Sequence, residues 1–330
     1  MIFDVLNVIT NSVYFIHQKS LFFNLKSIQL KLKTKSSMNR RSFLQLSAFS
    51  VINLALMKLN TFGNIASQAA YSDVKMPALF IGHGSPMNAI ENNDFTRTLT
   101  KLGQTLTKPK AILCVSAHWM TKGTYVNISP NPKMIYDMGG FPKELYEVQY
   151  PAKGSPEMAK QTQNMATKTT IFDDTQWGFD HGNWSVMKHL YPEADIPLFQ
   201  MSIDYGKPMQ YHYDLAKELS DLRNKGVLII GSGNITHNLG RVDFSGLDAP
   251  VQDWAQEFDT KVKQYINDEN HQALINYEGM GKTASLSVPE PSHYIPLLYT
   301  LGLQGKGEAT SYIYEGFHYG TLSMRAVKIG

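Results

Sequence analysis

The sequence is poorest in cysteine, with one residue of that type, Cys114, in 330 residues. A single cysteine cannot form a disulfide within the chain, and it cannot build the thiolate cage of a structural zinc site. A chain of this length buries enough apolar surface to fold without such crosslinks. Any metal site must therefore be built from histidine, aspartate or glutamate.

No charge of one sign dominates the body of the chain, although the whole sequence carries a net charge of +3. The surplus lies in residues 1–69, where eight lysines and arginines face one acidic residue, so the rest of the chain carries −4. Proteins that bind nucleic acid neutralise its phosphates with clustered basic side chains. The composition therefore argues against nucleic acid as a partner.

Long hydrophobic runs are also lacking, and the apolar run of the N-terminal segment covers only residues 49–57. That is shorter than the ~20 residues that span a bilayer, which disfavours an uncleaved membrane anchor. The run follows the paired Arg40 and Arg41 and precedes small residues around Ala69. A charged start, an apolar middle and a small-residue end predict a signal peptide, and the paired arginines resemble the twin-arginine export motif.

The sequence therefore predicts three segments. Residues 1–37 lie upstream of the true start or are disordered, residues 38–69 are the signal peptide, and residues 70–330 form the catalytic domain. We expect the protein in the periplasm or outside the cell, or in the cytoplasm if the leader does not function. A disordered basic tail is the alternative for the N-terminal segment, and we expect no stable membrane anchor.

Short apolar runs alternate with helical patterns through the body, which is typical of an α/β fold. Three predicted strands, at residues 76–81, 111–115 and 226–230, each run into a histidine within a few residues: His83, His118 and His237. Ligands bind beyond the carboxyl ends of the strands in open α/β sheets, and imidazole is the commonest protein metal ligand. We predict a single domain with a central, mostly parallel sheet flanked by helices, and a metal site at the C-terminal ends of its strands.

Two more histidines stand in segments that favour a functional role. His181 follows Asp180, which could orient its ring, and His293 opens an apolar helix after Pro291. The alternative for His181 is a structural histidine packed by aromatic side chains, and for His293 a surface residue at a helix start. The other histidines are interpreted as structural or surface residues, with His318 left open: His17, His189, His212, His271 and His318.

The glycine-rich strings do not match nucleotide-binding or serine-hydrolase motifs. Gly231 and Gly233 lack the third glycine and the downstream acid of a dinucleotide fingerprint, and no glycine loop leads into a phosphate-binding lysine. Neither Ser85 nor Ser232 stands in a Gly-x-Ser-x-Gly elbow. Nucleophilic serine chemistry is therefore disfavoured.

Five strings of residues occur in order along the body: Gly82-His83-Gly84-Ser85-Pro86-Met87-Asn88, Ser116-Ala117-His118-Trp119, Gly178-Phe179-Asp180-His181-Gly182, Gly233-Asn234-Ile235-Thr236-His237-Asn238-Leu239 and His293-Tyr294-Ile295-Pro296-Leu297-Leu298-Tyr299. Together they resemble the class III extradiol ring-cleavage dioxygenases, and within that family the bacterial 4,5-DOPA dioxygenase extradiol group. The resemblance spans residues 76–330 and includes Gly139-Gly140-Phe141-Pro142. Plant betalain enzymes and the catalytic subunit of protocatechuate 4,5-dioxygenase are related members.

The resemblance implies a role for each of the five histidines. His83 and His118 are similar to the two N-terminal metal ligands of the family. His293 falls where ring-cleaving relatives supply a carboxylate and the DOPA-type members have histidine. His237 resembles the catalytic base, and in the DOPA-type group it completes a four-histidine zinc site. His181 resembles a second catalytic histidine that contacts the substrate.

The implied reaction is cleavage of a DOPA-like catechol by O₂, with one divalent metal per chain, to a muconic semialdehyde. Fe²⁺ and Zn²⁺ both stay open, because non-haem iron oxygenases use two histidines and a carboxylate whereas an all-histidine set suits zinc. Glu290 is the nearest carboxylate in the sequence. We expect Trp119, together with Phe179 and Trp184, to wall the substrate pocket. The alternatives are a zinc-dependent hydrolase of a small substrate and a non-catalytic metal-binding protein on the same fold.

Overall fold

The structure, a computed structural model, describes residues 75–330. The leader and signal peptide expected within residues 1–69 lie outside the described residues. Among the helices of residues 75–330, none is long and apolar enough to cross a membrane.

The twelve strands of the described chain form one large sheet and two short pairs. In chain order they are β1 (Ala78–Gly82), β2 (Ala111–Thr121), β3 (Thr124–Asn127), β4 (Lys133–Met134), β5 (Ile171–Asp174), β6 (Gly178–Phe179), β7 (Leu198–Asp204), β8 (Val227–Gly233), β9 (Thr310–Tyr314), β10 (Phe317–His318), β11 (Leu322–Ser323) and β12 (Ala326–Ile329). The large sheet has the order β5-β3-β7-β2-β8-β1-β12-β9, whereas β4 pairs with β6 and β10 with β11.

The centre of the sheet is parallel. Strands β7, β2, β8 and β1 run in one direction, and β12 and β9 add an antiparallel edge beyond β1. The central strands β1, β7 and β8 are buried along their whole length, as expected for strands covered on both faces. The predicted α/β domain with a central, mostly parallel sheet is thus confirmed.

Helices cover both faces of the sheet. They are α1 (Asp94–Thr105), α2 (Pro156–Met165), α3 (His181–Leu190), α4 (Met209–Glu218), α5 (Asp253–Asn267), α6 (His271–Ile275), α7 (Lys282–Ser287) and α8 (Ile295–Gly302). Short 3₁₀ helices cover Pro86–Ala89, Lys143–Glu147, Ser220–Leu222, Leu239–Arg241, Tyr277–Met280 and Pro291–His293.

Alternate residues of the strands feed two separate cores. In β1, Leu79 joins the core packed under α1 and α3, whereas Phe80 joins the core under α4, α5 and α8. Successive strand side chains point to opposite faces, so a continuous apolar run can fill both cores. Because β1, β2 and β8 pair in parallel, their carboxyl ends lie side by side at one end of the sheet.

Strand β2 is longer than the sequence suggested. The apolar run of residues 111–115 predicted a strand that ends before His118, but the strand continues to Thr121. Its pairing with β7 shifts register between Val115 and Met120. Such an irregularity changes the direction of a side chain without ending the strand. His118 therefore lies within β2, close to its last residue, rather than in a loop after the strand.

Candidate metal centre

The sheet topology brings the strand-end histidines together. His83 follows the last residue of β1, and His118 lies near the end of β2. His293 is the last residue of the Pro291–His293 3₁₀ helix, which packs against the end of β8. The ring centroids of His83 and His118 lie 5.0 Å apart, and those of His83 and His293 lie 5.3 Å apart.

The end of β8 ties two of these histidines to the sheet through its backbone. The carbonyl of Gly233 accepts a hydrogen bond from the His83 amide at 2.9 Å, and the Asn234 amide donates to the His293 carbonyl at 2.8 Å. A Cβ atom on Gly233 would lie 2.1 Å from that His293 carbonyl oxygen. Only glycine permits so close an approach of the two backbones.

Three imidazole rings offer ligand atoms to one point. One nitrogen from each of His83, His118 and His293 lies within 4.8 Å of the other two. The His83 and His118 Nε2 atoms are 3.1 Å apart. This convergence of buried or half-buried nitrogens is the arrangement that a metal ion requires.

The hydrogen bonds around His83 fix the position of its proton. Ser232 Oγ donates to the carbonyl of Gly182 at 2.5 Å. The same Oγ lies 3.0 Å from His83 Nδ1, so it accepts the Nδ1 proton. His83 Nε2 is therefore unprotonated, and its lone pair faces the other two rings. A hydrogen bond from the far nitrogen is the usual device that orients a metal-binding histidine.

His293 is oriented in the same way by a different chain of side chains. Ser292 Oγ donates to the Glu290 carboxylate and lies 3.1 Å from His293 Nδ1. His293 Nε2 is buried and has no hydrogen-bond partner among the described residues. Buried polar atoms are rarely left without a partner, so this nitrogen is free to bind a metal. Glu290, the nearest carboxylate in the sequence, contacts Ser292 and reaches His293 through it.

The electrostatics of the site keep the rings of His83, His237 and His293 neutral at neutral pH. Burial lowers the pKa of His83 and of His293 well below the usual value, and the neighbouring histidines lower both further. Burial, followed by the proximity of His118 and His181, lowers the pKa of His237 to about 4. Neutral imidazoles can donate lone pairs to a divalent cation at neutral pH. The donor set therefore fits a nitrogen-preferring metal such as Zn²⁺ or Fe²⁺.

His237 and His181 each lie against one of the three converging ligands. The ring of His237 stacks on that of His293, with centroids 3.5 Å apart and planes 3° from parallel. His237 does not belong to the group whose three nitrogens converge. The ring of His181 lies 3.8 Å from that of His118. All five histidines singled out in the sequence thus meet in one place.

A carboxylate that the sequence did not reveal completes the site. Asp137 Oδ2 lies 2.9 Å from His181 Nδ1 and 3.1 Å from His118 Nδ1. Asp180, which by its position in the sequence could orient the His181 ring, instead caps α3: its Oδ1 accepts hydrogen bonds from the Asn183 amide and from Ser116. Asp180 points away because adjacent residues at a helix start diverge. The only local signal for Asp137 was its place just before Gly139 and Gly140.

The rings open onto a cavity of about 560 Å³. Apart from the five histidines and Asp137, its walls are mainly apolar, with Met87, Met138, Phe141, Leu239, Val242, Phe244, Tyr319 and Leu322 among the lining residues. The three aromatic residues that were expected to wall the pocket do not line this cavity. Trp119 is buried and stacks on Trp177 with ring centroids 5.6 Å apart, and Phe179 and Trp184 are core residues. Phe141, Phe244 and Tyr319 supply the aromatic surface of the cavity instead.

A sequence model of the catalytic LigB subunit of aromatic ring-opening dioxygenase matches residues 77–326. The chain belongs to this family. It is 45% identical over 267 residues to the 4,5-DOPA dioxygenase extradiol of Escherichia coli (strain K12), a match that covers 78% of this chain and 96% of the relative. The protein of that name from Beta vulgaris is 35% identical over 256 residues, covering 76% of this chain and 94% of the relative.

A solved structure of the family has the same fold. The crystal structure of an uncharacterized protein from Escherichia coli K12 superposes with a TM-score of 0.68 at 41% sequence identity, covering 77% of this chain and 100% of the other. The expected extradiol ring-opening dioxygenase is thereby confirmed. Members of the LigB family use a metal, and the converging histidines form a candidate site for it.

We expect Gly233→Ala to weaken the metal site by displacing the backbone of His293, without removing any histidine ring. The added Cβ would displace the His293 carbonyl and with it the ring, so metal affinity should fall and the free energy of unfolding should drop by about 1–3 kcal/mol. Urea unfolding and zinc titration measure the two effects. The matched control is Gly246→Ala, where a Cβ meets no atom within 4 Å. Equal stability and equal zinc affinity in both variants would contradict the close approach.

Proposed function

We propose that this extradiol dioxygenase opens the ring of a DOPA-like catechol beside its two hydroxyl groups, using O₂, to give a muconic semialdehyde. The observation that carries the proposal is the position of the three converging nitrogens of His83, His118 and His293 at the wall of a 560 Å³ apolar cavity. A catechol ring is flat and apolar, and its two oxygens are good metal ligands once deprotonated. The names of the relatives from Escherichia coli and Beta vulgaris support DOPA as the reference substrate.

We propose Fe²⁺ as the working metal, held by His83, His118 and His293. Bound iron would supply the redox chemistry with O₂ that Zn²⁺ lacks. The all-histidine donor set also accepts zinc, so zinc is expected to occupy the same nitrogens without supporting ring cleavage. His237, which stacks on His293, is the candidate for a fourth nitrogen ligand.

His237 is proposed as the base that takes the proton from a catechol hydroxyl. Its ring lines the cavity and stacks on that of His293, which puts it beside any substrate that reaches the ligands. With a pKa of about 4 the ring is uncharged at neutral pH and therefore in the accepting form. His181, whose ring lies beside that of His118, is proposed to hydrogen-bond the substrate and to act as the second catalytic histidine.

The metal preference is tested by loading the full chain with Fe²⁺ or Zn²⁺ and measuring oxygen uptake with DOPA, protocatechuate and unsubstituted catechol. We expect uptake and semialdehyde absorbance with iron and neither with zinc. Iron-loaded protein without catechol controls for uptake by the metal alone. Absence of uptake with every catechol, together with zinc-dependent hydrolysis of small esters, would replace this proposal with the hydrolase alternative.

We also propose that the N-terminal segment exports the protein by the twin-arginine route. Changing Arg40 and Arg41 to lysine keeps the charge but removes the paired guanidinium groups that the motif requires. A reporter fused after residues 38–75 should reach the periplasm, and the double change should retain it in the cytoplasm. Export that is unaffected by the double change would contradict the proposal.

A further inference from the structure

Asp137 is placed opposite His181 by a short parallel strand pair. Lys133 of β4 pairs with Gly178 of β6, and Met134 pairs with Phe179. Because the pair is parallel, the segments that follow β4 and β6 leave it in the same direction. The amide of Ile135 then donates to the Phe179 carbonyl at 2.8 Å, and Trp184 Nε1 donates to the Ile135 carbonyl at 3.0 Å. These bonds fix the backbone just before Asp137.

The carboxylate of Asp137 makes three contacts with two histidines of the site. Its Oδ1 accepts from the His181 amide at 2.9 Å. Its Oδ2 contacts His181 Nδ1 at 2.9 Å and His118 Nδ1 at 3.1 Å. The side chain is only 16% exposed, although the adjoining backbone is open to solvent. One oxygen atom therefore serves both imidazole rings.

We propose that Asp137 is a positioning residue that holds a proton on Nδ1 of both His118 and His181, so that both Nε2 atoms keep a free lone pair. In His118 that lone pair faces the metal position beside His83. In His181 it becomes a hydrogen-bond acceptor for the substrate. The inference rests on the ring-cleavage site proposed above and adds a single residue that controls a ligand and a substrate-side histidine together.

An ionised Asp137 can only accept hydrogen bonds, which is why it dictates the tautomers of its neighbours. The two oxygens of Asp137 face the His181 amide and the Nδ1 atoms of His181 and His118, so three groups that can donate surround this carboxylate. Both rings must therefore present an N–H to this carboxylate. A neutral imidazole with its proton on Nδ1 has none on Nε2.

The shared carboxylate also explains why the site needs a cation. His83 keeps its proton on Nδ1 because of Ser232, and His118 keeps its own because of Asp137. No hydrogen then lies between the two Nε2 atoms, although they are 3.1 Å apart. Two lone pairs at that distance repel each other, and a divalent cation between them turns the repulsion into two ligand bonds. The short contact between these nitrogens is thus a metal-binding geometry rather than a hydrogen bond.

An asparagine at position 137 cannot reproduce these contacts. If the amide oxygen faces the two rings, the amide NH₂ faces the His181 backbone N–H, and two donors oppose each other. If the amide is turned round, the NH₂ faces both Nδ1 atoms and forces each ring to carry its proton on Nε2. That tautomer blocks the His118 ligand atom and converts His181 from an acceptor into a donor.

The test is ¹H–¹⁵N NMR of the histidine rings in the full chain, metal-free and then loaded with Zn²⁺, which separates Nδ1–H from Nε2–H tautomers. His118→Gln and His181→Gln each remove one set of ring signals and so assign them. We expect Nδ1–H for both rings in the wild-type protein. In Asp137→Asn at least one ring should move toward Nε2–H, and zinc affinity should fall about 10–100-fold.

The matched control is Asp180→Asn, which removes a buried carboxylate that contacts Ser116, Gln200 and Trp177 but not the histidine rings. It should lower thermal stability and leave the tautomers of His118 and His181 unchanged. The proposal is overturned if either wild-type ring carries its proton on Nε2, or if a folded Asp137→Asn keeps both wild-type tautomers. The wild-type spectrum decides even if Asp137→Asn does not fold. Neither the tautomers nor the zinc affinity depends on iron or turnover. This inference can therefore fail while the proposed ring cleavage stands, and ring cleavage can fail while this inference stands.

Discussion

His83→Ala should give a folded protein that has lost its metal and, with it, all ring cleavage. His83 supplies one of three converging nitrogens, and its ring is buried and held by Ser232. Losing an outer partner of a metal ligand typically costs about 10–100-fold in metal affinity, and losing the ligand itself should cost more. Elemental analysis after removal of loosely bound metal measures the content, and oxygen uptake measures the activity.

The matched control for His83→Ala is His271→Ala. His271 is a partly buried histidine whose ring contacts the Tyr213 hydroxyl at 2.9 Å in a different part of the described domain. This variant should retain wild-type metal content and activity, because it removes an imidazole without touching the site. Wild-type metal content in His83→Ala would mean that the converging nitrogens are not the metal site.

His237→Ala should lower turnover about 10²–10⁴-fold for each bound iron, which is the usual cost of losing a general base. The ring lines the cavity, stacks on the ring of His293 and is neutral at neutral pH, so its loss removes a proton acceptor beside that ligand. The substrate should still bind, because the apolar walls and the three ligands stay in place. The rate of semialdehyde formation, divided by the iron content of each sample, is the measurement.

Metal content separates the two roles of His237. If His237 is a base only, His237→Ala should keep iron while losing turnover. If it is also a fourth ligand, the variant should lose metal as His83→Ala does, and the rate per remaining iron is then the quantity to compare. A wild-type rate per iron would show that His237 is not the base.

Much of the architecture could be predicted because its signals are local. The apolar runs that precede His83 and His237 predict buried parallel strands, and such strands place whatever follows them at one end of the sheet. The same reasoning brings His118 to that end, although it could not show that β2 continues past this residue. The extension of β2 depends on its pairing with β7, which lies about eighty residues further along the chain.

The parts that could not be predicted depend on pairings between distant segments. Asp137 reaches His181 only because β4 and β6 form a two-residue pair, and a pair that short leaves no periodic pattern in the sequence. Asp180 was the nearer carboxylate in the sequence, yet its side chain caps α3. The position of Trp119 was likewise not predictable from the sequence, because its ring stacks on the distant Trp177 and does not line the cavity.

The central claim is tested most directly by the stoichiometry of the iron-loaded full chain acting on a catechol. An oxygen electrode, a peroxide assay and mass spectrometry of the product are run on the same reaction. The account predicts one O₂ consumed for each ring opened, a product heavier than the catechol by both oxygen atoms, and no hydrogen peroxide. Oxygen uptake that yields peroxide and quinone without a ring-opened product, or no uptake with any catechol, would contradict it.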